Sequence, residues 1–293
     1  MLKVDVPPST WETLGTPPPD GLTETRLQLH WAVQLVAAAP LAFRETGPDS
    51  GHANLGWIAT ASTFVSRGVG VASPVHFGLD TRDFSLTVLA ADLGTLDRLA
   101  LEGKTLEQAY AWIAEALDRH GVGKVDPTAL RRPGSDFPEH ALRSGAQFTG
   151  GDERSRAELA RWYDNALLVL SEAASVEPGA SEVRTWPHHF DMATLITIEE
   201  ANGPQEVRSI GVGLSPGDSD YDEPYFYATP WPYPEHVTLS PLAGRGLWHM
   251  TGWTGAVLKG TRLVDGADGT LQLERARKFL ASAIPAGRRL AGA

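Results

Sequence analysis

Two stretches of this sequence repeat one plan, and the repeat limits the fold more than any single motif. In the first, Thr23 is placed to cap a helix on which Leu27, Trp31, Leu35 and Ala38 recur at helical spacing until Pro40 stops the run. In the second, Ser155-Arg156-Ala157-Glu158 reads as a capping box ahead of Leu159, Trp162, Tyr163, Ala166, Leu167, Leu170 and Ala174. A strand opening on another tryptophan follows each helix: Trp57 lies 26 residues after Trp31, and Trp186 lies 24 after Trp162. Similar text comes next, Gly68-Val69-Gly70-Val71-Ala72-Ser73-Pro74 against Gly211-Val212-Gly213-Leu214-Ser215-Pro216, the latter preceded by a hairpin signal at Asn202-Gly203. Further strands are expected over 84–90, 96–101, 225–229 and 247–258. Each stretch then closes with a helix. Thr105-Leu106-Glu107-Gln108 is a capping box leading into Ala109, Ile113 and Leu117, ended by Gly121; the later helix carries Leu273, Ala276, Phe279, Leu280 and Ala283 before Pro285.

Runs of strands bracketed by helices do not make the βαβ alternation of a parallel sheet. The sequence therefore reads as α+β, with antiparallel sheets flanked by helices and an internal duplication of helix, about four strands, helix. An extended arm (1–22) holding Pro7, Pro8, Pro17, Pro18 and Pro19 precedes the first half (23–121). A connector (122–151), the second half (152–285) and a frayed tail (286–293) follow.

Composition removes several classes of function. A formal net charge of -11 with few basic pairs argues against nucleic acid, and equally against an anionic membrane surface. The absence of cysteine excludes disulfides, thiolate nucleophiles and Cys-based metal sites. The longest apolar run, Trp31 to Phe43, is too short to span a bilayer, and the first residues lack the apolar core of a secretory signal, so a soluble cytoplasmic protein is expected.

Chemistry is nominated at Trp186-Pro187-His188-His189-Phe190-Asp191. Read as one strand, this run puts Trp186, His188, Phe190, Met192, Ile196 and Ile198 on an apolar face, and His189, Asp191, Ala193, Leu195 and Thr197 on the other. His188 is then a packed residue, while His189 and Asp191 form a candidate catalytic dyad opening onto a cavity. The pair is either two metal ligands or an imidazole oriented by a carboxylate; its plain structural alternative is a hydrogen bond on a solvated sheet face. A third group must come from elsewhere. His249, alternating with Leu247, Thr251 and Trp253 on a late strand, is the first candidate and His30 on the first helix the next, either within ~3 to 7 Å of the His189 ring.

Three other motifs fail on inspection. The acidic loop 216–223 has Glu223 and Thr229 where a calcium loop needs Gly and Glu, no helix follows Ser215 in Gly213-Leu214-Ser215-Pro216-Gly217, and neither Gly-Val-Gly opens a helix. The aromatic density from Tyr225 to Tyr233 places Phe226 in a core and Trp231 and Tyr233 at a pocket rim. Two functions stay open: a small-molecule pocket doing metal-assisted hydrolysis or general acid-base chemistry, or a non-enzymatic binding or assembly module using residues 225–234. No pattern names a metal, a cofactor or an oligomeric state.

At Phe190-Asp191-Met192-Ala193, Pro216-Gly217-Asp218 and Glu223-Pro224-Tyr225-Phe226-Tyr227, and in Leu29-His30-Trp31 on the early helix, the chain resembles a bacterial family known as domain of unknown function 5996. It differs from that family's pattern in having His30 and Trp31 adjacent and His189 in the place of a glycine. The resemblance implies a single continuous unit and no particular activity.

Overall fold

The computed structural model describes residues 4–43, 53–71, 73–130, 132–134, 137–199, 207–234 and 238–292, so the Asn202-Gly203 signal lies outside the described residues. The fold is α+β, with two antiparallel sheets. In place of one continuous unit, the chain forms two compact units built from interleaved segments: 1–6, 24–160 and 185–190 in the first, and 7–23, 161–184 and 191–293 in the second.

The first unit holds helix α1 (Thr23–Phe43, entered at its second residue), strands β1 (Gly56–Ile58), β2 (Thr63–Val65), β3 (His76–Asp80), β4 (Ser85–Leu89) and β5 (Thr95–Ala100), and helix α2 (Leu106–Arg119). The five strands pair in chain order as a meander. Trp57 and Phe64 face each other in register and pack at 4.5 Å between ring centroids, so the tryptophan expected to open a strand sits at the heart of this core with Trp31. The Thr105 capping box forms with both of its hydrogen bonds, and Gly121, at φ 73, lies just past the end of α2. Within the expected connector, Phe137, Leu142 and Phe148 are buried, and Phe137 packs edge-on against Trp31.

The second unit holds most of helix α3 (Glu153–Val176), strands β7 (Asp191–Glu199), β8 (Arg208–Ser215), β9 (Tyr225–Trp231), β10 (Leu247–His249) and β11 (Gly255–Lys259), and helices α4 (Gly260–Val264) and α5 (Gly269–Leu290). Strand β6 (Arg184–Trp186) precedes β7, and the sheet order is β10-β11-β9-β8-β7-β6. Buried Ile210, Val212, Leu214, Phe226, Val257 and Leu258 meet Phe279, Ala283 and Ile284 of α5 and Trp162 of α3 in this core. Among the described residues no helix is long and apolar enough to cross a membrane.

Several expected boundaries are corrected. Pro40 and Pro285 lie inside α1 and α5 rather than ending them. A proline removes one hydrogen bond, and Pro40 does so only three residues from the end of α1. The tail is helical to Leu290 instead of frayed, with Ala286 and Gly287 buried; a Cβ on Gly287 would lie 3.3 Å from Ile210. Helix α3 begins two residues before Ser155, and Asp152 caps it by accepting from the Ser155 N–H at 2.9 Å. Gly68 to Val71 form no strand beyond a single Val69–Val75 bridge, whereas their textual counterpart lies in strand β8. The expected strand over 247–258 is a hairpin, β10 and β11 joined by a tight connection.

The capping box gives a direct check. Thr105→Ala is expected to lower stability by about 1 kcal/mol, read from the midpoint of urea unfolding with an unchanged m-value.

Candidate functional site

The run from Trp186 to Asp191 is not one strand. Beyond β6, residues 187–190 turn, the Phe190 N–H donating to the Trp186 carbonyl at 2.7 Å with Phe190 at φ 60. The alternation that separated the two histidines is therefore lost. His188 is exposed instead of packed, and His189 is exposed beside it, their rings 4.2 Å apart. His189 belongs to the first unit and Asp191 to the second.

His30 holds this turn from within the first unit. Its Nε2–H faces the carbonyls of Pro187 and His188 at 3.1 and 3.2 Å, Gln34 donates to the same Pro187 carbonyl, and the imidazole stacks on Phe190 at 5.3 Å. Burial, first of all, pushes the His30 pKa down to about 3, against the pull of the two carbonyls, with Arg26 and His189 adding unfavourable charge. The ring is thus a neutral clamp rather than a proton carrier.

The chemistry of the second unit gathers on β9 and the loop before it. Tyr227 faces Gly213 in register, and its ring lies across that glycine so that its hydroxyl reaches Asp191 on β7, one strand further on. A Cβ on Gly213 would come 2.8 Å from the Tyr227 ring, 2.6 Å from the Met192 carbonyl and 2.8 Å from the Ala193 Cβ. The Gly-Val-Gly text is therefore a track for an aromatic ring. Two residues earlier on β9, the Tyr225 hydroxyl donates to Asp218, whose other carboxylate oxygen closes the acidic loop by accepting the N–H groups of Asp220 and Tyr221 at 2.8 and 3.0 Å.

Tyr221 completes the row, its ring 5.0 Å from that of Tyr225. His249 Nε2 lies 2.6 Å from the Thr251 carbonyl, a contact that needs an N–H there, so in the neutral ring Nδ1 accepts from the Tyr221 hydroxyl at 2.8 Å. The imidazole stacks on Trp253 at 4.2 Å, and the Trp253 indole N–H donates to Asp220 at 2.8 Å. Glu223 accepts from the first helical N–H groups of α4 through Thr261 at 2.6 Å and pairs with Lys259 at 2.7 Å, while the Lys259 ammonium sits 5.3 Å from the Tyr221 ring centre.

The three phenols are all held protonated. Burial dominates each shift; Asp191 adds to it at Tyr227, Asp218 and then Asp191 at Tyr225, and Asp220, Asp218 and Glu223 at Tyr221. They act as donors to fixed acceptors.

Of the nominated residues, Asp191 and His249 lie in this second-unit group and His30 and His189 lie in the first unit. His249 ends β10 opposite Gly255 and does not alternate with Thr251 and Trp253 along a strand. Trp231 and Tyr233 are 49 % and 46 % exposed and pack edge to face at 5.4 Å, while Phe226 is fully buried. Among the described residues no three His, Asp or Glu side chains gather as a set that could hold a metal ion. Tyr225 and Tyr227 lie in the 225–234 stretch offered from sequence as a binding module but were not singled out, and Tyr221 and Asp218 were not nominated. The strand register, which aligns Gly213 with Tyr227, is the signal that points to Tyr227. The fold and this surface define an α+β protein of two units with a tyrosine–carboxylate group on the second. Comparison with family models, curated proteins and solved structures finds no match to the chain.

Gly213→Ala is expected to destabilise by about 1–3 kcal/mol, because the added methyl meets backbone and ring at once; pairing it with Tyr227→Ala should recover part of the loss in a double-mutant cycle. For His30, the unfolded chain titrates near 6.5 and the folded one at about 3. Between those values the unfolded state binds one more proton, so stability falls as pH drops, by up to about 1.4 kcal/mol per pH unit. Urea titrations from pH 7 to 4 should show that slope reduced by one proton in His30→Gln.

Proposed function

We propose that the second unit binds a small polar molecule at the surface formed by Tyr221, Tyr225, Tyr227, Asp191, Asp218, His249 and Trp253, in a protein of the cytoplasm. The observation that carries this reading is the set of carboxylates fixed by tyrosine and tryptophan donors. Asp191, Asp218 and Asp220 accept from Tyr227, Tyr225 and Trp253, and Glu223 pairs with Lys259, whose ammonium lies over the Tyr221 ring, so the surface is acidic and lined with ring faces. A carboxylate has about four lone-pair sites, more than the three donors that Asp218 holds, so it can accept from a ligand as well. Hydroxyl and amine groups match such a surface, and anions do not.

Acid-base chemistry at a His189–Asp191 dyad has less support, since Asp191 is engaged by Tyr227 and His189 stands exposed on the turn. A second reading, a partner contact through the 225–234 stretch, is favoured by the exposed Trp231–Tyr233 pair. The resemblance to the 5996 family adds no activity to either.

Thermal unfolding with putrescine, glycerol or acetate tests the first reading. Putrescine or glycerol should raise the melting temperature by a few degrees at saturating concentration, acetate should not, and Asp218→Asn should remove the effect. No shift with either compound, or an equal shift in Asp218→Asn, would sink it.

A further inference from the structure

The N-terminal arm is held in a way that ordinary packing does not require. Within the second unit, Asn165 of α3 and Gln272 of α5 are almost completely buried, and each pairs with the backbone of one arm residue. Asn165 Oδ1 accepts from the Glu12 N–H at 2.9 Å and its Nδ2 donates to the Glu12 carbonyl at 2.8 Å. Gln272 Oε1 accepts from the Leu14 N–H at 2.9 Å and its Nε2 donates to the Leu14 carbonyl at 3.0 Å. Glu12 and Leu14 are two apart, the spacing at which an extended chain turns both N–H and C=O of alternate residues to the same side. Two side-chain amides thus do what a neighbouring strand would do, and at Glu12 and Leu14 they read peptide groups rather than side chains.

The rest of the arm's fit is sparse. Leu14 and Pro19 are its only buried residues between Pro7 and Asp20, and the Trp11 indole N–H donates to the same Gln272 oxygen at 3.3 Å. Arg161 adds a bond to the Thr16 carbonyl at 2.9 Å. Glycine makes room on the receiving side: a Cβ on Gly269 would lie 2.6 Å from the Thr13 hydroxyl. The prolines at 7, 8, 17, 18 and 19 keep the segment extended before it docks, which lowers the entropy lost on docking.

We propose that Asn165 and Gln272 form a peptide-recognition site for an extended Trp-x-x-Leu segment, filled in cis by residues 11–16 and able to take the same segment in trans from a second copy of this chain. The covalent arm competes at an effective concentration in the millimolar range, so a trans peptide gains access when the arm's anchor is weakened. The site is separate from the tyrosine surface and does not depend on it.

Fluorescence polarisation of a labelled peptide of residues 8–19 tests this on the full-length chain. Leu14→Asp should bind the peptide at least about tenfold more tightly than wild type, since the cis competitor is lost. Trp11→Ala replaces that variant if its circular dichroism is not native. Methylating the peptide's Glu12 and Leu14 amide nitrogens should abolish binding, whereas Glu12→Ala with Thr13→Ala in the peptide should change it by less than about threefold, because those side chains are not read. No binding to the weakened-arm chain, or equal binding of the N-methylated peptide, overturns the proposal.

Discussion

Peptide groups that leave regular structure and enter a buried surface need partners, and in this protein side chains supply them. The turn at 187–190 receives His30 and Gln34, and the arm receives Asn165 and Gln272. Arg156 donates to the carbonyls of Thr81, Arg82, Gly150 and Gly151, fixing a β-turn and the entry to α3 together. Glu223 answers the start of α4. Each of these polar side chains lies on or beside a helix or strand, and each carries an irregular segment that could not otherwise be dry. An unmade bond of this kind costs about 1–3 kcal/mol, comparable to a buried methyl group or more, so within each unit these few residues fix irregular segments that the apolar core alone would not.

Much of the fold was legible because apolar periodicity and helix caps are local. Trp31, Trp57 and Trp162 fall where helical and strand spacing put them, and the Thr105 box closes as its four residues indicate. The site was less legible. Pro187 and a left-handed Phe190 break the run that was read as a strand, and nothing within that run distinguishes a turn held by His30, more than 150 residues away, from a continuous strand. Residues 68–71 and 211–214 share letters but not structure, since a strand needs neighbours to pair with, and the second has two. The polar contacts that matter most, Tyr227 with Asp191 and Gln272 with Leu14, span 36 and 258 residues, and no spacing rule reaches that far.

The tyrosine row shows how charge and burial divide the work. Burial alone raises a phenol's pKa without aiming it; the carboxylates do the aiming, and they raise it further. The result is a set of hydroxyls with one orientation each, carried by the ladder of β9 for Tyr225 and Tyr227 and by the acidic loop for Tyr221, and pinned at the far end by Asp218, Asp191 and His249. Surfaces of this sort are rigid without being apolar, which suits recognition by hydrogen bonds more than by shape.

Gly213 couples the spacing of the sheet to the reach of one of its side chains. While residue 227 is aromatic, position 213 has no room for a side chain, and once a side chain stands at 213 no ring can cross to Asp191. Shortening the ring alone would not open the position, because the Met192 carbonyl would still stand 2.6 Å and the Ala193 Cβ 2.8 Å from a Cβ placed there. The glycine is therefore locked from two directions, by the neighbouring backbone of β7 and by the ring from β9, so one bare backbone position sets both how closely the strands run and whether a phenol can reach across them.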